Sequence, residues 1–313
     1  MINGENGLAE SIIDVEDISK SYGHVEAVKG VTFTIKKGEL FGLIGPNGAG
    51  KTTLFKMLLG LLKPTSGTIR VMGSDVSEVW SREVRAHTGY LPENIAFYDH
   101  LSGLETLNFY ARLKGAPKSE VLELLDLVGM TEAATRKVGE YSKGMRQRIG
   151  LAQALLGKPE ILFLDEPTTG LDPEGIGAFY KILNDVKARE VTIVLTSHIL
   201  KEIQDRVDRL GIIGGGKLLA SGSVKELRGA LGLRSSIRVL LKDKPDAVKE
   251  AAIRAGGEIA SLKDNLLLIN CPNGSKMSLL KELMKEDNSI DDIEFQEPSL
   301  EDVFMGYAMG GEV

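Results

Sequence analysis

Uninterrupted apolar runs mark three strands along the chain. They lie at residues 40–44, 161–164 and 191–195. A strand inside a parallel sheet is covered on both faces, so all of its side chains are apolar rather than every second one. These runs therefore predict the buried centre of an α/β fold, and ligands bind such sheets beyond the carboxyl ends of the strands.

Apolar residues at helical spacing separate these strands. The helical pattern covers residues 52–59, 104–113, 120–128 and 145–156. Ser142 stands where the last of these helices needs a residue to cap its N-terminus. We therefore predict a helix directly after the first buried strand and a helical subdomain inserted at about residues 93–158.

Alternation between apolar and polar residues appears near the start of the chain. Residues 12–18 alternate loosely and predict an edge strand, and residues 20–23 predict the turn that follows it. Residues 31–35 alternate with a period of two and predict a second antiparallel strand. An antiparallel β subdomain is thus expected ahead of the α/β core.

Beyond residue 229 the pattern changes to short strands and short helices. Strands are predicted at residues 237–241, 258–260, 265–269 and 293–295, and helices at residues 245–255 and 276–284. The order βαββαβ predicts a small ferredoxin-like α+β domain over residues 230–313, beside a main domain over residues 10–229. We favour a dimerisation or docking role for it over a sensory one, since fold alone does not give function.

Composition and charge exclude several classes of protein. The chain has 313 residues, which is too long for one compact core. Its net charge of −6 argues against broad nucleic-acid binding. No apolar run is long enough to span a bilayer, and no secretory signal is visible at the N-terminus. Cys271 is the one cysteine, and the histidines are scattered, so neither a disulfide framework nor a histidine metal site is expected.

The first buried strand runs into a glycine-rich loop with a recognisable spacing. The loop and the first helical residues are Gly45, Pro46, Asn47, Gly48, Ala49, Gly50, Lys51, Thr52 and Thr53, which match G-x-x-x-x-G-K-[ST]. Such a loop points backbone N–H groups at a polyphosphate, while Lys51 reaches the β- and γ-phosphates and Thr52 ligates Mg²⁺. The alternative is an ordinary glycine-rich turn between a strand and a helix.

Polar residues follow the other two buried strands. Asp165 and Glu166 end one of them, and His198 follows the other. In a nucleoside-triphosphatase, Asp165 would hold the Mg²⁺ shell opposite Thr52, and Glu166 would orient and deprotonate the attacking water. The alternative is a pair of carboxylates that caps a turn.

The order and spacing of these motifs resemble an ATP-binding cassette (ABC) ATPase over residues 12–230. The matching stretches are Tyr22, residues 45–53, residues 141–148, residues 164–168, residues 170–172 and His198. The resemblance implies a P-loop NTPase core in which Tyr22 stacks on adenine and His198 contacts the γ-phosphate. It also implies that Ser142 and Gly144 contact ATP held by the opposite subunit, and that Asp172 communicates between the two sites.

Several of these residues have plainer interpretations when taken alone. Tyr22 is then an ordinary, partly buried aromatic residue, and Ser142 is a plain helix cap. The sequence also departs from the family at two places. Residues 141–145 read Tyr-Ser-Lys-Gly-Met, and Glu93 stands where the family has glutamine. We hypothesise that Glu93 senses the metal and the attacking water, while its loop, with Phe97, Tyr98 and Leu101, contacts a membrane partner.

The resemblance therefore implies the ATPase subunit of an exporter-type transporter. Its cofactors would be ATP and Mg²⁺, and its partners a second ATPase subunit, as a homodimer or a pair, and a separate transmembrane permease. It would lie peripherally on the cytoplasmic face of the cell membrane. The alternative is a soluble ATPase of the same superfamily with a non-membrane partner. Residues 89–94 and 142–148 also resemble the ATPase of the nitrous-oxide reductase copper-site maturation system.

Overall fold

The computed structural model describes residues 10–75, 82–242, 245–271 and 276–308, apart from the side chain of residue 287. The chain divides into two compact units, one ending at Val224 and the other beginning at Lys225. Each unit has an apolar core of its own. The two units are therefore described separately.

The N-terminal unit contains two sheets. Its strands are β1 (Ser11–Tyr22), β2 (Val25–Lys36), β3 (Leu40–Ile44), β4 (Ser66–Val71), β5 (Ser74–Asp75), β6 (Thr88–Leu91), β7 (Ile161–Leu164), β8 (Thr192–Ser197), β9 (Arg209–Gly214) and β10 (Lys217–Gly222). Its helices are α1 (Lys51–Leu58), α2 (Arg82–Ala86), α3 (Gly103–Lys114), α4 (Lys118–Leu127), α5 (Lys143–Leu155), α6 (Pro173–Lys187) and α7 (Leu200–Ile203), with a 3₁₀ turn at Val138–Glu140.

The antiparallel sheet has the order β2-β1-β4-β5, so β1 is an internal strand. The prediction of an edge strand at residues 12–18 is wrong, because β1 bonds to β2 on one side and to β4 on the other. The predicted turn at residues 20–23 is also misplaced, since β1 continues to Tyr22 and the chain reverses at Gly23 and His24. Glu16 and Asp17 form a bulge that interrupts the alternation of apolar and polar residues. The pattern therefore indicates a shorter strand than the one that forms.

The central sheet has the order β10-β9-β3-β8-β7-β6 in the described residues. Its strands from β9 to β6 are parallel, and β10 is antiparallel to β9. Every residue of β3, β7 and β8 is buried, as the uninterrupted apolar runs predict. The carboxyl ends of these three strands therefore bring the loop after Ile44, Asp165 and Ser197 to one edge of the sheet.

Helices α3, α4 and α5 form the predicted helical region. Ser102 caps α3 with a reciprocal capping box, and Ser142 caps α5 as predicted. The amphipathic α6 and the hairpin of β9 and β10 have no counterpart in the sequence-based prediction. Asp172 caps α6, with Pro173 as its first helical residue.

The C-terminal unit follows the predicted order of strands and helices. Its strands are β11 (Ser236–Leu241), β12 (Glu258–Lys263), β13 (Leu266–Asn270) and β14 (Ile290–Gln296). Its helices are α8 (Val224–Ala230), whose first residue is the last of the N-terminal unit, α9 (Pro245–Arg254), α10 (Lys276–Leu283) and α11 (Leu300–Ala308), with a 3₁₀ segment at Met284–Ser289. The sheet order is β12-β13-β11-β14, with every paired neighbour antiparallel.

Candidate functional site

The glycine-rich loop wraps tightly between β3 and α1. Gly50 is the residue before α1 and has a φ of 102°, in the left-handed region. A Cβ atom at Gly50 would lie 2.4 Å from the Ala27 carbonyl oxygen, and one at Gly45 would lie 2.2 Å from the Ile213 carbonyl oxygen. These two positions therefore require glycine, and the chain can then start α1 with free N–H groups facing the loop.

Lys51, the first residue of α1, is held inside this loop. Its Nζ donates hydrogen bonds to the carbonyl oxygens of Gly45 (2.7 Å) and Pro46 (3.1 Å). Burial lowers the pKa of Lys51, and the nearby charges of Glu166 and Asp165 oppose that shift. The loop thus presents a cation and the positive end of a helix at the same place, which suits a polyphosphate.

Asp165 follows β7 and is tied to β8 by a hydroxyl group. Thr196 Oγ1 donates to Asp165 Oδ1 at 2.7 Å, and Thr196 Oγ1 also accepts from the Glu166 backbone N–H at 2.9 Å. Burial raises the pKa of Asp165, and the hydrogen bond from Thr196 opposes the shift. One hydroxyl group at the end of β8 therefore holds both the Asp165 carboxylate and the backbone of Glu166.

Glu166 is held in an unusual backbone conformation and faces a histidine. Its φ is +47°, which is rare for a residue with a side chain and is typical of functional sites. His198 Nδ1 lies 2.7 Å from Glu166 Oε2. When the carboxylate is ionised it only accepts hydrogen bonds, and Nδ1 is then the donor in this pairing. The imidazole thereby fixes the direction of the Glu166 carboxylate.

These groups line one cleft of about 320 Å³. Its walls are Ala27, Asn47, Gly48, Gly50, Lys51, Thr52, Thr53, Glu93, Asp165, Glu166 and His198. Gly45 and Pro46 take part through their carbonyl oxygens, which accept from Lys51, and Ala49 is a buried residue of the same loop. A cation, several loop N–H groups and three carboxylates at one cleft can bind a polyphosphate and activate a water molecule beside it.

Ser142, Gly144 and Asp172 lie elsewhere, on a second concave surface of about 520 Å³. This surface shares no lining residue with the cleft. Ser142 accepts from the Met145 N–H at 3.3 Å, and Asp172 accepts from the Gly175 N–H at 2.8 Å. The N-termini of α5 and α6 therefore open on the same patch, which is separate from the cleft around Lys51.

Tyr22 is half exposed at the end of β1 and is not among the residues that line the cleft. Lys20 Nζ lies 5.4 Å from the centre of its ring, a cation–π contact at the surface. The ring face is thus accessible for stacking, although no other predicted site residue touches it in the described interactions.

Sequence reasoning missed Thr196 and the contacts behind it. Thr168 donates from Oγ1 to Glu202 Oε2 at 2.9 Å, which joins the turn after β7 to α7. Tyr180 of α6 is buried beside them, and the Arg206 guanidinium lies 4.5 Å from the centre of its ring. The position of Thr196 at the end of an apolar strand was the available signal, because that end lies beside Asp165 in a parallel sheet.

Replacement of Thr196 by valine removes both hydrogen bonds without changing the size of the side chain. We expect Thr196→Val to destabilise the fold by about 1–3 kcal/mol, because it leaves a buried N–H group and a carboxylate oxygen unpaired. If the cleft is catalytic, its turnover should fall as well. Thr192→Val is the matched control, since Thr192 is buried on the same strand and bonds only to the Gly38 N–H in the described residues. Stability is measured by urea unfolding, and turnover is measured in the same preparations. Equal losses of turnover in both variants would contradict this role.

The raised pKa of Asp165 predicts how stability depends on pH. Folding raises this pKa above its ordinary value of 3.8, so between pH 3.8 and the raised pKa the folded chain binds a proton that the unfolded chain has lost. The stability of the fold therefore falls as pH rises from 3.8 through the raised pKa. Asp165→Asn should therefore raise the melting temperature of the nucleotide-free chain at neutral pH. The gain should shrink in acid, where both states are protonated. A melting temperature at neutral pH that is lower than that of the wild type would contradict this assignment.

Two further observations concern the chain as a whole. Within the described ranges, no helix combines the length and the apolar character needed to cross a membrane. The same residues contain no group of three or more His, Cys, Asp or Glu side chains arranged to hold a metal ion.

Comparison with known proteins gives a consistent result. Residues 28–169 match the family model described as "ABC transporter". The bacitracin transport ATP-binding protein BcrA of Bacillus licheniformis is 36% identical, covering 97% of this chain and 99% of that protein. The linearmycin resistance ATP-binding protein LnrL of Bacillus subtilis (strain 168) is 34% identical, covering 94% and 97%. A solved ATP-binding subunit of an ABC transporter superposes with a TM-score of 0.64 and 31% identity, covering 71% of this chain and 94% of that one.

Proposed function

This chain belongs to the family of ABC transporter ATP-binding proteins, and we propose on that basis that the cleft around Lys51 is where it hydrolyses ATP. It is the ATP-binding and ATP-hydrolysing subunit that energises a separate permease. The observation that supports this location best is the contact of Glu166 with His198 at 2.7 Å, beside the glycine-rich loop. A turn that is merely capped by carboxylates has no need for this contact or for the strained backbone of Glu166.

The proposed reaction is an in-line attack of water on the γ-phosphorus of ATP. Glu166 takes a proton from the water as the new P–O bond forms, and the bond from the γ-phosphorus to the bridging oxygen breaks. The products are ADP and inorganic phosphate. Lys51 exchanges its carbonyl contacts for β- and γ-phosphate oxygens, and His198 keeps the Glu166 carboxylate in position.

The cleft also fits Mg²⁺, which prefers oxygen ligands and usually keeps waters and substrate phosphates around it. The Thr52 hydroxyl and the Asp165 and Glu93 carboxylates are hard oxygen donors on one cleft. We propose Thr52 and Asp165 as its protein ligands, with Glu93 nearby. When bound with ATP, the ion neutralises charge that develops on the phosphates.

Two chains must meet to complete each site in this proposal. The surface with Ser142, Gly144 and Asp172 carries the open N-terminus of α5, which suits the γ-phosphate of ATP held by the other chain. Its separation from the cleft supports a head-to-tail pair, since one chain cannot close both half-sites on one nucleotide. Tyr22, with its accessible ring, would stack on the adenine.

The subunit would lie on the cytoplasmic face of the cell membrane, against its permease. A cluster of aromatic rings, Phe97, Tyr98, Phe109 and Tyr110, supports this placement. Phe109 and Tyr110 are 5.3 Å apart between centroids, and both Tyr98 and Phe109 are exposed. Because the Tyr98 loop follows Glu93, a permease that contacts these rings can influence the cleft.

Glu93 tests the link between this loop and the cleft. Replacement of its carboxylate by an amide keeps the shape and removes a charge near the metal position. We expect Glu93→Gln to raise the Mg²⁺ concentration for half-maximal turnover by up to about tenfold, and to alter both basal and permease-stimulated ATP hydrolysis. If neither rate changes across a Mg²⁺ titration, Glu93 does not sense the metal.

An exporter-type system is the narrower assignment that we propose. Two relatives that match almost the whole chain are named for bacitracin transport and linearmycin resistance. These names favour export of an antibiotic over copper-site maturation of nitrous-oxide reductase. The latter rests on residues 89–94 and 142–148 alone and stays a prediction, in which the chain would not bind the copper itself.

We also propose that the C-terminal domain, residues 230–313, is ferredoxin-like and that the ATPase domain spans residues 10–229. The βαββαβ order and the sheet order β12-β13-β11-β14 support the ferredoxin-like assignment. The division of the chain between Val224 and Lys225 lies close to the proposed boundary.

The function is tested by purification of the tagged chain from its own cells. We expect a polytopic membrane protein to co-purify with wild-type chain and with Glu166→Gln. Ribosomal or DNA-associated partners without a membrane protein would instead favour a soluble ATPase.

A further inference from the structure

The C-terminal unit contains a cavity that the ATPase function does not use. It lies at the end of the sheet where β11 begins and β13 and β14 end, and α8 and the first turn of α10 form its sides. Its volume is about 500 Å³, within the range of pockets that hold small molecules. All of its lining residues belong to the C-terminal unit.

Cations outnumber carboxylates around this cavity. Lys225, Arg228 and Lys276 line it, and Glu297 is the one carboxylate in its described wall. Glu297 pairs with Lys276 and accepts a hydrogen bond from the buried Ser235 hydroxyl at 2.8 Å. Lys225 forms no ion pair within the described part of the chain. The cavity therefore keeps positive charge that its own carboxylate does not neutralise.

Arg228 supplies an independent observation. Its Nε is shielded from solvent and has no hydrogen-bond partner among the described residues. A buried donor without an acceptor costs free energy, so such groups are uncommon and usually find an acceptor in an ordered water, an ion or a ligand. A guanidinium group also matches the geometry of phosphate oxygens with two parallel N–H groups.

We propose that this cavity is a second binding site, which takes an anionic small molecule through a phosphate group. Arg228 and Lys225 bind the phosphate oxygens. Leu233, Met277 and Pro298 give the same cavity an apolar wall, so the ligand has a short apolar part beside its phosphate. The phosphate could come from a lipid headgroup or from a free phosphorylated compound, and the experiment separates the two.

Cys271 provides a local reporter of this site. It is the one cysteine in the sequence, it is buried, and it lies in the cavity wall. Bound anion would block access to the thiol and would disfavour its thiolate, and both effects slow alkylation. The full chain, carrying Lys51→Ala to disable the ATP cleft, is treated with iodoacetamide while inorganic phosphate is titrated against equal ionic strength of KCl.

We expect phosphate to slow alkylation of Cys271 severalfold. Arg228→Gln should raise the phosphate concentration that gives half-maximal protection by about tenfold or more, because it removes a charge-assisted contact. Arg238→Gln is the matched control and should keep the protection. Arg238 lies in the same unit but pairs with Glu294, outside the cavity. Calorimetric titration of phosphate into the same variants gives this comparison without the thiol.

Vesicles distinguish the two sources of phosphate. Protection by phosphatidylcholine vesicles that contain phosphatidic acid, and not by free phosphate, assigns the site to a lipid headgroup. Protection by free phosphate assigns it to a soluble compound. Equal alkylation rates in phosphate, in KCl and in phosphatidylcholine vesicles with and without phosphatidic acid, with no Arg228-dependent heat of phosphate binding, would overturn the proposal. Because ATP hydrolysis is not measured, this result is independent of the proposed function of the cleft.

Discussion

Glu166→Gln should lower ATP turnover by a factor of about 10²–10⁴. The amide keeps the length and shape of the side chain, but it cannot take a proton from the attacking water. Lys51, Thr52 and the glycine-rich loop are unchanged, so ATP should still bind, and slow hydrolysis should favour the closed pair of chains. Turnover is measured by phosphate release, and binding by fluorescent nucleotide titration in the same preparations.

The control for this variant lies at the opposite end of the same strand. Glu160 precedes β7, is partly exposed and contacts His87 and Lys37, far from the cleft. Glu160→Gln removes an equal charge and should leave turnover close to that of the wild type. Comparable turnover by Glu166→Gln and the wild type would exclude Glu166 as the general base, whatever its contact with His198.

The second large effect concerns which chains build each site. We expect a heterodimer of one Lys51→Ala chain and one Ser142→Asp chain to keep about half of wild-type turnover. One of its two sites then combines both defects, while the other is intact. Aspartate is chosen because it still caps α5 but places a negative charge where the γ-phosphate is expected. Two different affinity tags isolate the heterodimer.

A redistribution of the same two substitutions gives the matched control. When one chain carries both Lys51→Ala and Ser142→Asp and its partner is wild type, each shared site contains one defect. This second heterodimer should be nearly inactive. If each chain instead formed a complete site by itself, the results would be reversed, with activity in the second heterodimer and none in the first.

The sequence was sufficient to locate the buried strands and the groups at their ends. The strands β3, β7 and β8, which the apolar runs predict, are buried along their whole length. The residues that follow them meet at one edge because parallel strands align their carboxyl ends. The spacing of Lys51 and Thr52 after the loop glycines fixes their place at the start of α1. These features can be predicted because strand burial and helix starts leave patterns within short stretches of sequence.

Pairing between strands was harder to predict. An alternating pattern such as that of β1 indicates one buried face but does not give the number of neighbours, and the bulge at Asp17 broke the alternation further. Thr196 was missed because a threonine at a strand end has many ordinary roles. Only the neighbouring Asp165 and the Glu166 N–H make its hydroxyl important. The cavity at Arg228 is lined by residues of α8, α10 and three strand ends. These residues are far apart in the sequence, so no local pattern predicts the cavity.

The most direct test of this account is ATP hydrolysis by the chain alone and by the chain reconstituted in liposomes with its co-purified permease. We predict that the permease raises turnover and that Glu166→Gln removes the stimulated activity, while Glu160→Gln retains it. ATP turnover that is the same with and without the permease would contradict the claim that hydrolysis in this cleft energises a separate membrane subunit. Permease-stimulated turnover that is unchanged in Glu166→Gln would contradict it as well.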